Sequence, residues 1–250
     1  MTMNKRERVA LVTGAGRGIG RAIARGLAAA GFTICVNDID PASAEACADE
    51  LISAGGRARA AAADVSQPAQ VTELFARAVG GAGRLDVLIN NAGVSRPRPL
   101  VETSDADWSA LLAVNLSSVF YCCRAAFPLM REAGGRIINL SSVSAHTGKV
   151  VSDNAAYVAA KAGVDGLTRA LAREGAPWGI AVNSVAPGVV ETEIHAQLSQ
   201  ERRAQLPGLI PTGRLASPEE IAEVVCFLAA SAGSQLTGQV IHVNGGMYFA

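Results

Sequence analysis

Val9-Ala10-Leu11-Val12-Thr13-Gly14-Ala15-Gly16-Arg17-Gly18-Ile19-Gly20 decides the fold. Four apolar residues read as a short buried strand, and an alanine-rich helical pattern, Ile19–Ala30, follows and stops at Gly31. Glycines between a strand and a helix let the backbone turn sharply and approach an anion closely, and the helix then offers its first N–H groups to a pyrophosphate. The spacing is GxxxGxG rather than the commoner GxGxxG, with Gly14, Gly18 and Gly20 as the glycines and Arg17 and Ile19 between them. Taken alone, the loop is also compatible with a plain structural turn.

Outward from this loop, short apolar runs alternate with longer helical patterns. Strands are expected at Phe32–Asn37, Ala58–Asp64, Val87–Asn90, Arg136–Leu140, Ile180–Ala186 and Gln239–Val243. Helices are expected to start at Asp40-Pro41, with aspartate as cap, and to cover Gln67–Val79, Ser104–Glu132 and Ala155–Ala176. Ser217-Pro218-Glu219-Glu220 opens a last helix with a capping-box pattern. Gly188–Leu215 shows no clear period. Strands that are apolar throughout belong in a parallel sheet covered on both faces. The expectation is therefore an α/β protein, a Rossmann-type doubly wound parallel sheet of seven strands with helices on both faces. No linker divides residues 1–250, so they read as a single domain.

The 22 basic and 22 acidic side chains cancel. A zero balance supplies no electrostatic attraction to nucleic acid or to an anionic membrane. Cys35, Cys47, Cys122, Cys123 and Cys226 form no CxxC pair, and most lie in apolar runs, which fits free thiols in a reducing compartment. Val9–Val12 is too short for a signal-peptide core after the polar Met1–Arg8. A soluble cytoplasmic protein is expected. His195 and His242 form no metal-ligand pattern, so no catalytic metal is expected.

Asp38 closes the second strand. A carboxylate there can accept hydrogen bonds from both hydroxyls of an adenosine ribose and would repel a 2′-phosphate. At about 4 Å and an effective dielectric near 20, one unit of repulsion costs about 4 kcal/mol. NAD is thus expected over NADP, although Arg17 pulls the other way. Asp40, the other acid nearby, is explained as a helix cap. Tyr157 and Lys161 stand four apart in Tyr157-Val158-Ala159-Ala160-Lys161, on one helix face. A nearby ammonium stabilises a phenolate and lowers its pKa from about 10, turning tyrosine into a usable base. Ser141-Ser142 follows the fifth strand, at the edge where open α/β sheets place ligands.

These residues resemble the short-chain dehydrogenase/reductase family over essentially the whole length. The matching motifs are TGAGRGIG at Thr13–Gly20, NNAG at Asn90–Gly93, Asn115, SS at Ser141–Ser142, YVAAK at Tyr157–Lys161 and PGVVET at Pro187–Thr192. The resemblance implies hydride transfer between a nicotinamide cofactor and a secondary alcohol or ketone. It implies Tyr157 as general acid/base, and Lys161 as the group that lowers its pKa and binds the nicotinamide ribose. Ser142 would hold the substrate oxygen, and Asn115 a water that links Lys161 to solvent. Asn90, Asn91, Ala92 and Gly93 would line the adenosine side, with Asp64 and Val65 against adenine. Pro187, Gly188, Val190 and Thr192 would embrace the nicotinamide. The resemblance further implies a homotetramer, paired through the two long helices and through Gln239–Ala250.

Ser142 lies further upstream of Tyr157 than the family's serine usually does, and Ser144 stands at the usual spacing. Ser142 remains the expected catalytic serine, because it follows its strand directly. A short insertion between Ala145 and Asp153 would account for the distance. Ser95, Ser144 and His146 are expected in the substrate pocket, with Arg96 and Arg98 nearby and Glu191–Leu215 as a lid. Members of the family acting on 3-oxoacyl thioesters and members acting on polyols or sugars both look similar, and Asp38 tilts the expectation to NAD-linked oxidation of a polyol-like substrate. A non-catalytic nucleotide sensor with this fold would lack Tyr157, Lys161 or the serine; all are present.

Overall fold

In the computed structural model, residues 7–148, 154–192, 200–230, 233 and 235–250 are described, without the side chain of Arg202. Seven strands pair in parallel: β1 (Val9–Val12), β2 (Thr33–Val36), β3 (Arg57–Ala60), β4 (Val87–Asn90), β5 (Gly135–Leu140), β6 (Ile180–Pro187) and β7 (Val240–Val243). Their order is β3-β2-β1-β4-β5-β6-β7. The chain winds outward from β1 to one edge, returns to β4 beside β1, and winds to the other edge. The reversal between β1 and β4 opens a crevice at the C-terminal ends of the strands, the place where such sheets bind ligands.

The strands divide their side chains between two cores, because successive residues point to opposite faces. Ala10 and Val12 of β1 enter one core with α1 (Gly18–Ala29), α2 (Pro41–Ser53) and the last helix (Pro218–Ala229). Val9 and Leu11 enter the other, built from α3 (Pro68–Val79), α5 (Ser118–Met130) and α7 (Ala155–Gly175). Every residue of β1 and β4 is buried. Asp40 caps α2 by accepting from the Ala42 N–H, and Ser217 and Glu220 form the expected capping box.

Three expectations need correction. The third strand is Arg57–Ala60, not Ala58–Asp64, and it is not apolar throughout: as an edge strand it needs no second buried face, and Arg57 is exposed. Ser104–Glu132 is not one regular helix. It runs as α4 (Asp105–Leu112), a π-helical turn at Ala113–Ser117, and α5. The unperiodic stretch before the last helix contains α8 (Gln200–Gln205) and a 3-10 turn, Leu206–Leu209. Residues 193–199 of the expected lid, with His195, and most of the expected insertion before Asp153 lie outside the described residues. The last helix is therefore α9, and the short Ser144–Thr147 turn after β5 is α6.

The run Asp105–Met130 is long and apolar enough to cross a membrane by composition. Its Leu111, Val119, Cys122, Cys123, Ala126 and Met130 are instead buried in the protein interior. All five cysteines are free.

Candidate active site

The crevice is a cavity of about 770 Å³ running from the glycine loop, past Asp38, Asp64 and Asn91, to Ser142, Tyr157, Lys161 and Thr192. Gly14 and Gly18 take positive φ values of 61° and 53°, so the loop needs residues without a Cβ there. Thr13 ties the loop to β4: its hydroxyl accepts from the N–H groups of Asn91 and Ala92, both at 3.0 Å. The Asn91 amide returns two hydrogen bonds, to the carbonyls of Thr13 and Gly14 at 2.9 Å. No side chain caps the N-terminus of α1, and no acid stands in its first turn. A glycine cradle and an uncapped helix start on one cavity wall fit a dinucleotide pyrophosphate.

At the far end of this wall, the half-buried Asp38 accepts from Gly16 N–H at 3.0 Å and from Asp40 N–H at 3.2 Å. These bonds fix its carboxylate beside the loop. Asp64 lines the cavity but also closes a turn, accepting from the Ser66 N–H at 2.9 Å and hydroxyl at 2.7 Å.

The reacting end is assembled from three elements. Asn154 caps α7 by accepting from Tyr157 N–H at 3.2 Å, and its amide donates to the Ser95 hydroxyl at 3.2 Å. Tyr157 sits one turn into α7 and lines the same cavity as Ser142, which follows β5 by two residues. Ser144 N–H donates to the Ser142 hydroxyl at 3.2 Å, so Ser144 braces Ser142 through its backbone. Lys161 is buried and donates to the Leu140 carbonyl at 2.6 Å, with its Nζ 5.7 Å from the Tyr157 ring centre.

Burial pushes the Tyr157 phenol above its ordinary value, and the Ser142 hydrogen bond pulls it back. Burial also draws the lysine down to about 8, opposed by Asp165, and its ammonium is engaged by the Leu140 carbonyl.

Asn115 lies inside the π-helical turn. Its amide donates to the carbonyls of Leu111 and Val94, and its Oδ1 accepts from Val94 N–H at 3.1 Å. It stitches the irregular turn to the segment after β4 and closes on Gly93, where an added Cβ would stand 2.8 Å from Asn115 Oδ1. The Lys161 Nζ lies on the same side, 3.5 Å from that position.

The full chain matches known proteins. A family model described as enoyl-(acyl carrier protein) reductase matches residues 14–248. The 3-oxoacyl-[acyl-carrier-protein] reductase FabG of Escherichia coli (strain K12) is 41% identical over 247 residues, covering 98% of this chain and 99% of that protein. The chain belongs to the short-chain dehydrogenase/reductase family. The same-named reductase of Aquifex aeolicus (strain VF5) is 40% identical over 99% of this chain and 100% of its own length. A crystal structure of a putative gluconate dehydrogenase from Agrobacterium tumefaciens superposes with a TM-score of 0.90 at 38% identity, covering 96% of this chain and 95% of that one. As a family member the chain is an oxidoreductase acting on CH–OH groups with a nicotinamide cofactor.

Two of the expected site residues point elsewhere. Asn90 is buried below the cavity, donating to Asn139 Oδ1 at 2.8 Å; Asn91 lines the wall instead. His146 does not line the cavity. It packs against Asp165, His242 and Tyr248, because α6 turns its ring under the site rather than into it. Ser95, Ser144, Pro187, Gly188, Val190 and Thr192 do line it, as does Arg96, while Arg98 pairs with Asp107 at 2.6 Å. Thr13 and Asn154 were not singled out from sequence. Asn154 carried a signal, an asparagine three residues before Tyr157 at the helix start. Among the described residues no group of three His, Cys, Asp or Glu gathers as a metal site.

Proposed function

We propose that the protein is a soluble cytoplasmic, homotetrameric reductase of 3-oxoacyl thioesters or closely similar ketones, using NADH. The carrying observation is one cavity joining the glycine cradle and Asp38 to Ser142, Tyr157 and Lys161. The bound nicotinamide supplies or accepts the hydride. Tyr157 gives its phenolic proton to the carbonyl oxygen, or takes it from the alcohol in the reverse direction. Ser142 donates to the same oxygen as negative charge develops there. Lys161 holds the cofactor ribose, and Asn115 keeps the wall beside Lys161 in shape and holds the water that links it to solvent. The thioester reading is supported by relatives that match nearly end to end under that name. Oxidation of a polyol or aldonic acid is the second reading, supported by the structural likeness to the putative gluconate dehydrogenase.

The first experiment is titration with NADH and NADPH, followed by assays with a 3-oxoacyl thioester and with gluconate. NADH is expected to bind at least tenfold more tightly, since the fixed Asp38 carboxylate opposes a 2′-phosphate. Asp38→Ser is expected to remove most of that preference. Equal binding of both cofactors by the unaltered protein would overturn the NADH assignment, and gluconate oxidation without thioester reduction would select the second reading.

The two serines make a separate prediction. Ser142→Ala should lower kcat at least a hundredfold, as for loss of one oxyanion donor. Ser144→Ala should change it less than fivefold, because Ser144 reaches Ser142 by its backbone N–H, which alanine keeps. Steady-state kinetics showing the opposite ranking would move the catalytic hydroxyl to Ser144.

A further inference from the structure

Tyr157, Lys161 and Asp165 stand at successive i, i+4 positions, so α7 presents all three on one face. Asp165 is among the most deeply buried charged side chains, 2% exposed. Its Oδ1 accepts from the Ser184 hydroxyl on β6 at 2.7 Å, and its Oδ2 lies 3.0 Å from His146 Nε2. His146 belongs to α6, which begins at Ser144, two residues after Ser142. The imidazole is held from the other side: Tyr248 stacks on it at 5.0 Å, and the His242 ring of β7 meets it edge-on at 4.6 Å. Around Asp165 stand Ser184, His146 and, behind His146, His242 and Tyr248, with Lys161 one turn earlier on its own helix. Among the described residues no arginine forms a salt bridge with it.

A bare carboxylate in a protein interior is costly unless charge or hydrogen bonds compensate it, and an apolar side chain would fill the same space without that cost. The Ser184 hydroxyl is modest compensation, because the neighbouring Asp165 Oδ2 and His146 Nε2 make no hydrogen bond in this geometry. The remaining cation is the buried Lys161.

We propose that Asp165 is a positioning residue of the active site: its carboxylate keeps the Lys161 side chain charged from one turn below and, through His146, anchors the Ser142 segment against the helix that carries Tyr157. The inference rests on the assignment of Tyr157, Lys161 and Ser142 to the reaction. Burial lowers Lys161 and Asp165 raises it again, in agreement with this arrangement. His242 is lowered by burial and then by His146, so the second imidazole resists becoming a competing cation.

The test needs no substrate. The chain has three lysines, Lys5, Lys149 and Lys161. The full protein is labelled with ¹³C-lysine, the signals are assigned by Lys5→Arg and Lys149→Arg, and the Lys161 signal is titrated with pH. A midpoint near 8 is expected. Asp165→Asn should lower it by about one pH unit or more, the effect of removing a close opposite charge, and Asp165→Glu should restore it. Asp165→Leu, which removes both the charge and the buried polar group, should lower it likewise and decides the matter if the asparagine variant does not fold. An unchanged midpoint in either folded neutral variant overturns the proposal. Because the measurement contains neither cofactor nor substrate, a wrong substrate assignment leaves its outcome readable.

Discussion

Tyr157→Phe is expected to reduce kcat at least a thousandfold while NADH affinity stays within about twofold. The substitution removes one hydroxyl and keeps the ring that fills the wall of the cavity. General acid/base catalysis by a positioned side chain contributes roughly a hundred- to ten-thousandfold, and the cavity loses the hydroxyl nearest its reacting end as well. The sign of the pH dependence follows from the burial of the phenol. Its pKa stands above the ordinary value, so at neutral pH the proton is present. Ketone reduction, which consumes that proton, should be nearly level between pH 6 and the region of about 8 where Lys161 loses its own. Alcohol oxidation, which needs the phenolate, should climb as pH rises toward that region. Paired steady-state profiles in both directions, with cofactor titration of the variant, are the measurement. A phenylalanine variant retaining a tenth of the activity would remove Tyr157 from the proton transfer.

Gly20→Ala is the second large effect, and helix propensity predicts its sign wrongly. Gly20 lies in the first turn of α1, where alanine is ordinarily favoured by about 1 kcal/mol. An added Cβ, however, would stand 2.2 Å from the Gly14 carbonyl oxygen and 2.5 Å from Asn91 Nδ2. The first is backbone and cannot swing aside. The second is the amide that bridges Thr13 and Gly14, so relief there breaks the tie between loop and β4. Forced overpacking costs about 1–3 kcal/mol, and a net loss of about 2 kcal/mol at the pyrophosphate cradle weakens NADH roughly thirtyfold. A melting temperature lower by about 4–8 °C should accompany it, given the size of the chain. Calorimetric binding within threefold of the unaltered protein would show that the loop can yield, and that the glycine is not required by contact with Gly14.

The two variants separate the halves of the site. Gly20 should act on cofactor binding and stability, and Tyr157 on turnover alone.

How much of this was written in the sequence depends on the range over which each residue acts. β1, β4 and the glycine loop were legible because a continuous apolar run and a glycine at positive φ are local requirements. The Tyr157–Lys161 face was legible because a helix converts a spacing of four into proximity. Asp40 and the Ser217–Glu220 box were legible for the same reason, since caps bond to backbone two or three residues away. β3 was misread because nothing local marks an edge strand whose alanine-rich run continues into a turn closed by Asp64. The π-helical turn at Ala113–Ser117 was hidden because its reason, the Asn115 amide reaching Val94, comes from a distant segment.

The sequence by itself determined the strand–helix alternation, the glycine cradle and the kinds of side chain available for proton and hydride chemistry. Only the tertiary structure decided that Ser142 meets Tyr157 while Ser144 supports it, that Asn91 rather than Asn90 faces the cavity, and that His146 turns down to Asp165. Each of those choices depends on where β5, α6 and α7 converge, and side-chain direction at such a junction is set by packing between segments, which no local pattern encodes.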